Sequence, residues 1–110
     1  MITAEIFRES GGNITGCKVD DHGEVTVCAA VSLLVLNTAN SIDAFTDDAF
    51  SCDYEEEGGF FSIRLNNPGL ESPETKVLLK ALVLGLKSTQ DEYPSELCVI
   101  DVESEVNDYD

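Results

Sequence analysis

Residues 20–34 read DDHGEVTVCAAVSLL and place the chain's only histidine, His22, six positions before Cys28, one of its four cysteines. A thiol and an imidazole joined by a short loop are the minimum for nucleophilic catalysis. The thiolate attacks a carbonyl, and the imidazolium returns a proton to the leaving group. Cys28 also falls where the pattern turns from strand to helix, and unpaired backbone N–H groups at a helix start favour a thiolate. The blander reading stays open on spacing alone. A free cysteine is usually a small core residue, and a single Cys/His pair has no signature of its own.

Three other chemistries fit less well. Cys17, His22 and Cys28, with Asp20 or Asp21, offer ligand types for a metal but lack the close paired spacing of structural zinc, so no metal or cofactor is expected. A serine nucleophile at Ser32 would need a second histidine or a lysine as base. A redox switch would need a resolving cysteine, and the nearest in sequence, Cys17, shares a strand face with Val19 and reads as core. Cys52, in phase with Phe50 and Tyr54, and Cys98, in phase with Ile100 and Val102, also read as core residues.

The elements that must position Cys28 and His22 follow from periodicity. Residues 2–8 and 13–20 alternate apolar and polar around Ser10-Gly11-Gly12 and predict a β-hairpin. A helix is predicted from about Val27 to Phe45 with Thr26 as N-cap, apolar on nearly all sides and therefore covered by more than the sheet. Residues 49–57 and 59–66 alternate around Gly58-Gly59, a second hairpin. Ser72-Pro73-Glu74 opens a second helix, to about residue 91, carrying Val77, Leu78, Ala81, Leu82, Leu84 and Leu86. Residues 96–104 form the last strand. The order ββαββαβ predicts an α+β fold: a two-layer α/β sandwich with a mostly antiparallel sheet and two helices on one face. One domain is expected over 1–104, with a frayed acidic tail over 105–110.

Composition narrows the partners. Asp and Glu outnumber Lys and Arg by 22 to 6, a formal charge of −16, while 43% of residues are hydrophobic, which describes a folded acidic globule. Nucleic acid is an unfavourable partner for such a surface, and a cationic protein a favourable one. The N-terminal residues lack the basic segment and apolar core of a secretory signal. The apolar run from Val25 to Leu36 reads as too short to span a bilayer. The chain therefore reads as cytoplasmic, with its cysteines as thiols.

Val27–Ser32, VCAAVS, preceded by ITGCKVDD (14–21) and His22, together with the closing EYPSELCVIDVE (92–103), resembles the ribosomal-processing cysteine protease family, Prp. The resemblance spans nearly the whole chain. It implies a two-layer α/β dimer that removes the N-terminal extension of large-subunit ribosomal protein twenty-seven. It matches Cys28 to the nucleophile, His22 to the base and Ser32, one helical turn after Cys28, to a supporting hydrogen-bonding residue. Backbone N–H groups of the helix start would then hold the oxyanion. In this chain Asp21 stands at the family's usual glycine and Gly23 at its usual alanine, and the loop between His22 and Cys28 is several residues shorter. The rival reading is a non-catalytic acidic dimeric module that binds a basic ribosomal protein. Asn37, Asn40 and Ser41 are candidates for the cleft wall by proximity.

Overall fold

A computed structural model describes residues 1–21, 23–55 and 59–103. Its elements run β1 (Ile2–Arg8), β2 (Ile14–Asp20), α1 (Val25–Phe45), β3 (Phe50–Tyr54), β4 (Phe60–Leu65), α2 (Pro73–Glu92) and β5 (Leu97–Glu103). This is the expected ββαββαβ order. The tail expected to fray, 105–110, and Gly58 of the second turn lie outside the described residues.

The five strands form one mixed sheet in the order β3-β4-β2-β1-β5. Only β1 and β5 pair in parallel, Ile2 beside Leu97 through Arg8 beside Glu103; the other three pairings are antiparallel. Strand side chains alternate faces, so the register fixes one apolar face. Ile2, Ala4 and Ile6 lie beside Val19 and Cys17, which lie beside Phe61 and Ile63, and all of these are buried. Both helices close over that face, contributing Val27, Val31, Val35 and Ile42 from α1 and Leu79, Leu82 and Leu86 from α2 to one core. Gly85 lets them approach closely, since a Cβ there would meet Leu34 at 2.9 Å. On the opposite face Arg64 reaches across Gly16 to lie 4.0 Å over the Phe7 ring.

Several details differ from the expectations, each for a packing reason. α1 starts two residues earlier than predicted and is capped by Glu24, whose carboxylate accepts from Thr26 and Val27 N–H. Thr26 is therefore inside the helix. The helix has 21 residues, and an 18-residue window of it has a mean hydropathy of 1.7, so by length and composition it is long enough to cross a bilayer. Its apolar stripe packs on the sheet instead of ending at Leu36.

Cys17 is buried as expected, and burial pushes its thiol up to about 12. Cys52 is exposed, because β3 is an edge strand that α1 does not cover. Its thiol is raised by partial desolvation and by neighbouring Asp53. Cys98 is half-buried and pairs with Thr3, so with Ile100 and Val102 it occupies the sheet face away from the helices; Leu97 and Val99 face the core. On α2, Val77, Ala81 and Leu84 are exposed, while Thr75, Leu79, Leu82, Val83 and Leu86 form the buried stripe.

Candidate active site

The hand-over from β2 to α1 sets the geometry. β2 ends at Asp20, and Asp21 then takes a left-handed backbone conformation with φ of 78°. Glycine adopts that conformation without steric cost, and aspartate is among the few other residues that tolerate it. The Asp21 N–H donates to the Gly59 carbonyl (3.0 Å), tying this corner to the start of β4. The turn brings the chain straight back onto the helix start. Gly23 N–H donates to Cys28 Sγ (3.2 Å), and the thiol lies 3.6 Å from the Gly23 carbonyl oxygen.

Gly23 fits a tight corner. A Cβ there would meet the Ile2 side chain and a Glu96 carboxylate oxygen at 3.1 Å. The same Glu96 oxygen accepts from Glu24 N–H (2.9 Å). Glu24 Oε1 in turn takes Thr26 N–H (3.0 Å) and Val27 N–H (3.4 Å), and Cys28 N–H makes the first helical bond to the Glu24 carbonyl (2.9 Å). Of the helix-start donors expected to hold an oxyanion, those of Thr26, Val27 and Cys28 are therefore occupied by the chain's own acceptors. The N–H aimed at the sulfur belongs to Gly23.

Cys28 lies at one end of a cleft of about 350 Å³ between α1 and the β3–β4 hairpin. Val19, Val31, Val35, Phe60 and Phe61 make it apolar, and Asp21, Ser32 and Glu55 add polar groups. Ser32 follows Cys28 by one helical turn and Leu36 follows Ser32 by another, so the three share one wall. Opposite them Tyr54 stacks on Phe61 with ring centroids 6.0 Å apart. Of the four cysteines only Cys28 lines this cleft. Cys17 is sealed beneath the helices, and among the described residues no group of three His, Cys, Asp or Glu could hold a metal ion.

Cys28 and Ser32 thus line the same cleft. His22 lies outside the described residues, while both its chain neighbours, Asp21 and Gly23, border the site. Asn37 and Asn40 are exposed, and neither they nor Ser41 line the cleft. The wall residues that sequence reasoning missed are Leu36, Tyr54, Phe60 and Phe61. Leu36 was accessible from the four-residue step Cys28, Ser32, Leu36; the aromatic wall comes from a distant hairpin with no local signal.

The family model for cysteine protease Prp matches residues 1–98. The chain belongs to that family. It is a cysteine protease of the Prp type, and over 99 residues it is 29% identical to the ribosomal processing cysteine protease Prp of Staphylococcus aureus strain Mu50, covering 84% of this chain and 92% of that one. Two crystal structures of the S. aureus Prp superpose with TM-scores of 0.84. One holds a covalently linked product peptide, at 25% identity, and the other a substrate peptide, at 26%; each covers 93% of this chain and all of the other. The mixed sheet with two helices is the Prp fold. A cysteine protease needs an accessible sulfur with a donor for the developing oxyanion. The Cys28 corner supplies the first directly and the second through Gly23.

Proposed function

We propose that this protein removes the N-terminal extension of a large-subunit ribosomal protein, protein twenty-seven, during ribosome assembly in the cytoplasm. The observation that carries this reading is the Cys28 corner: one partly exposed sulfur at a helix start, opening into an apolar cleft, in contact with the backbone of the residue after His22. In this reading the Cys28 thiolate attacks the scissile carbonyl, and Gly23 N–H turns from the sulfur to the oxyanion. His22, as imidazolium, protonates the leaving amine, and then as imidazole it draws a proton from the water that releases the acyl group. Ser32 supports the pair by hydrogen bonding. The S. aureus relative bears the name of a ribosomal processing protease, and its crystals hold peptide. A surface of charge −16 steers a basic ribosomal precursor towards the cleft.

The reading includes a homodimer. The helix layer leaves Leu33, Phe45, Val77 and Leu84 each more than 60% exposed, an apolar surface that a second copy would cover. Leu84→Glu is expected to sediment as a monomer where the wild type sediments as a dimer.

The direct test is cleavage of a peptide spanning the junction between extension and mature protein, read by mass spectrometry. Wild type is expected to cut one bond, and Cys28→Ala and His22→Ala none. Binding without cutting by wild type would favour the acidic assembly module instead.

A further inference from the structure

The two edges of the sheet are finished differently. At β5, Leu97 N–H donates to the Tyr93 carbonyl (3.2 Å) and Val99 N–H to the Gln90 side-chain carbonyl (2.6 Å), so the end of α2 covers the first part of that edge. At β3, among the described residues, nothing comparable occurs. Glu55 N–H donates to the Phe60 carbonyl (3.2 Å) and Asn66 N–H to the Ala49 carbonyl (3.0 Å), which sets the phase of the antiparallel ladder. Ala49, Ser51, Asp53 and Glu55 turn their backbone groups towards β4, and Phe50, Cys52 and Tyr54 turn theirs outward. Among the described residues none of those three outward N–H groups has a hydrogen-bond partner.

This open edge is continuous with the active-site cleft. Tyr54, at the end of β3, is also a wall of the cleft that holds Cys28. Phe50, Cys52 and Tyr54 pair with Leu65, Ile63 and Phe61, so their side chains point to the helix side, where α1 stops short and leaves Cys52 and Tyr54 exposed. Five residues of strand give about 17 Å of pairing length. Asp47, Asp53 and Glu55 make the strand and its ends acidic.

We propose that the substrate docks as a sixth strand on β3, its main chain paired with Phe50, Cys52 and Tyr54, so that the bond to be cut runs into the cleft at Cys28. The occupant is an extended, cationic peptide segment. A second copy of β3 is disfavoured because it would bring two acidic strands side by side. The proposal rests on the protease reading and adds how the substrate is held: main-chain pairing gives affinity and the cleft gives selection.

The test measures binding of the junction peptide to the Cys28→Ala protein, using a series in which each peptide residue in turn is N-methylated. Strand pairing predicts a period of two, with alternate methylations weakening binding by about five- to tenfold, one net hydrogen bond each. Cys52→Pro, which removes an outward N–H at an edge position that tolerates proline, is expected to bind the unmodified peptide about five- to tenfold less tightly than Cys52→Ala, which keeps it. If Cys52→Pro fails to fold, the methylation series decides alone. No period of two, or equal binding by the two variants, overturns the proposal. So does a dimer that Cys52→Pro dissociates, since the edge would then belong to a second copy. Periodic binding of a peptide that wild type does not cut upholds strand docking and sinks the protease reading. A peptide that is cut without periodicity does the reverse.

Discussion

The starts of the two helices solve one problem in opposite ways. Each must satisfy exposed backbone donors at the positive end of a helix, and a carboxylate takes part in each cap. At α2 the carboxylate is Asp48, which accepts from Ser72 N–H (3.0 Å), the Ser72 hydroxyl (2.6 Å) and the Thr75 hydroxyl, while the Ser72 hydroxyl also caps Thr75 N–H. The Thr75 hydroxyl also lies 3.4 Å from that of Thr46 at the C-cap of α1, and Thr75 is fully buried. This corner is a lock between the end of one helix and the start of the next. At α1 the carboxylates are Glu24 and Glu96, acting on backbone N–H groups at an exposed corner, and among the described residues the sulfur of Cys28 has its hydrogen-bond contacts with the backbone of Gly23. The closed start serves the fold. The open one leaves a nucleophile where its neighbours can exchange partners during a reaction.

The largest effect that would sharpen this contrast is expected at the lock. Thr75→Val keeps the shape but removes a buried donor and leaves Asp48 short of a partner, a loss of about 1–3 kcal/mol. Urea unfolding would measure it, and cleavage of the junction peptide by the folded fraction should persist. A loss of cleavage without loss of stability would mean that the two corners are not separate devices.

A smaller effect is expected in acid. The Ser72 hydroxyl, the Thr75 hydroxyl and Ser72 N–H hold the Asp48 carboxyl below its ordinary value of 3.8. A carboxyl lowered in the folded state contributes stability that is fully present above the unfolded pKa and disappears as pH falls through the folded one. The lock should therefore weaken below about pH 4, where the unfolded chain takes up the proton first. Asp48→Asn, which keeps an acceptor without the charge, should be less stable at neutral pH and lose less between pH 5 and pH 2. Urea midpoints across that range would show a shallower acid limb for the variant. Parallel limbs would remove Asp48 from the account.

How far these two corners could be foreseen depended on whether their parts are close in sequence. Ser72-Pro73-Glu74 announces a helix start by itself, and the paired alternating runs announce both hairpins, so the element order was legible. Asp48 was not, because its partners are brought to it by the return of the chain from β4. Glu24 as a cap was hidden because glutamate is a less usual capping residue than the neighbouring threonine. Strand faces were legible only where one side is polar. In β5, Leu97 and Val99 alternate with Cys98, Ile100 and Val102, and pairing with β1 was needed to tell inside from outside. Cys52 was misplaced for a related reason: its phase is right for the core side, but nothing in FSCDY says that β3 lies at the edge, beyond the reach of α1. At the site, Cys28 and Ser32 could be placed together by helical spacing, whereas Tyr54, Phe60 and Phe61 enter through tertiary structure.

The smallest predicted effect is the one most able to break the comparison. Glu24 caps α1 from an exposed position, with one of its two contacts as long as 3.4 Å. Glu24→Ala should therefore lower stability by no more than about 1 kcal/mol, the lower part of the range for losing a cap. It also uncovers Thr26 and Val27 N–H beside Cys28, so cleavage should survive the change. Thermal or urea unfolding of Glu24→Ala beside Thr75→Val makes the comparison in one experiment. If Glu24→Ala costs as much as Thr75→Val, the start of α1 is as firmly locked as that of α2. Its donors could not then exchange partners cheaply during catalysis, and the oxyanion would depend on Gly23 alone.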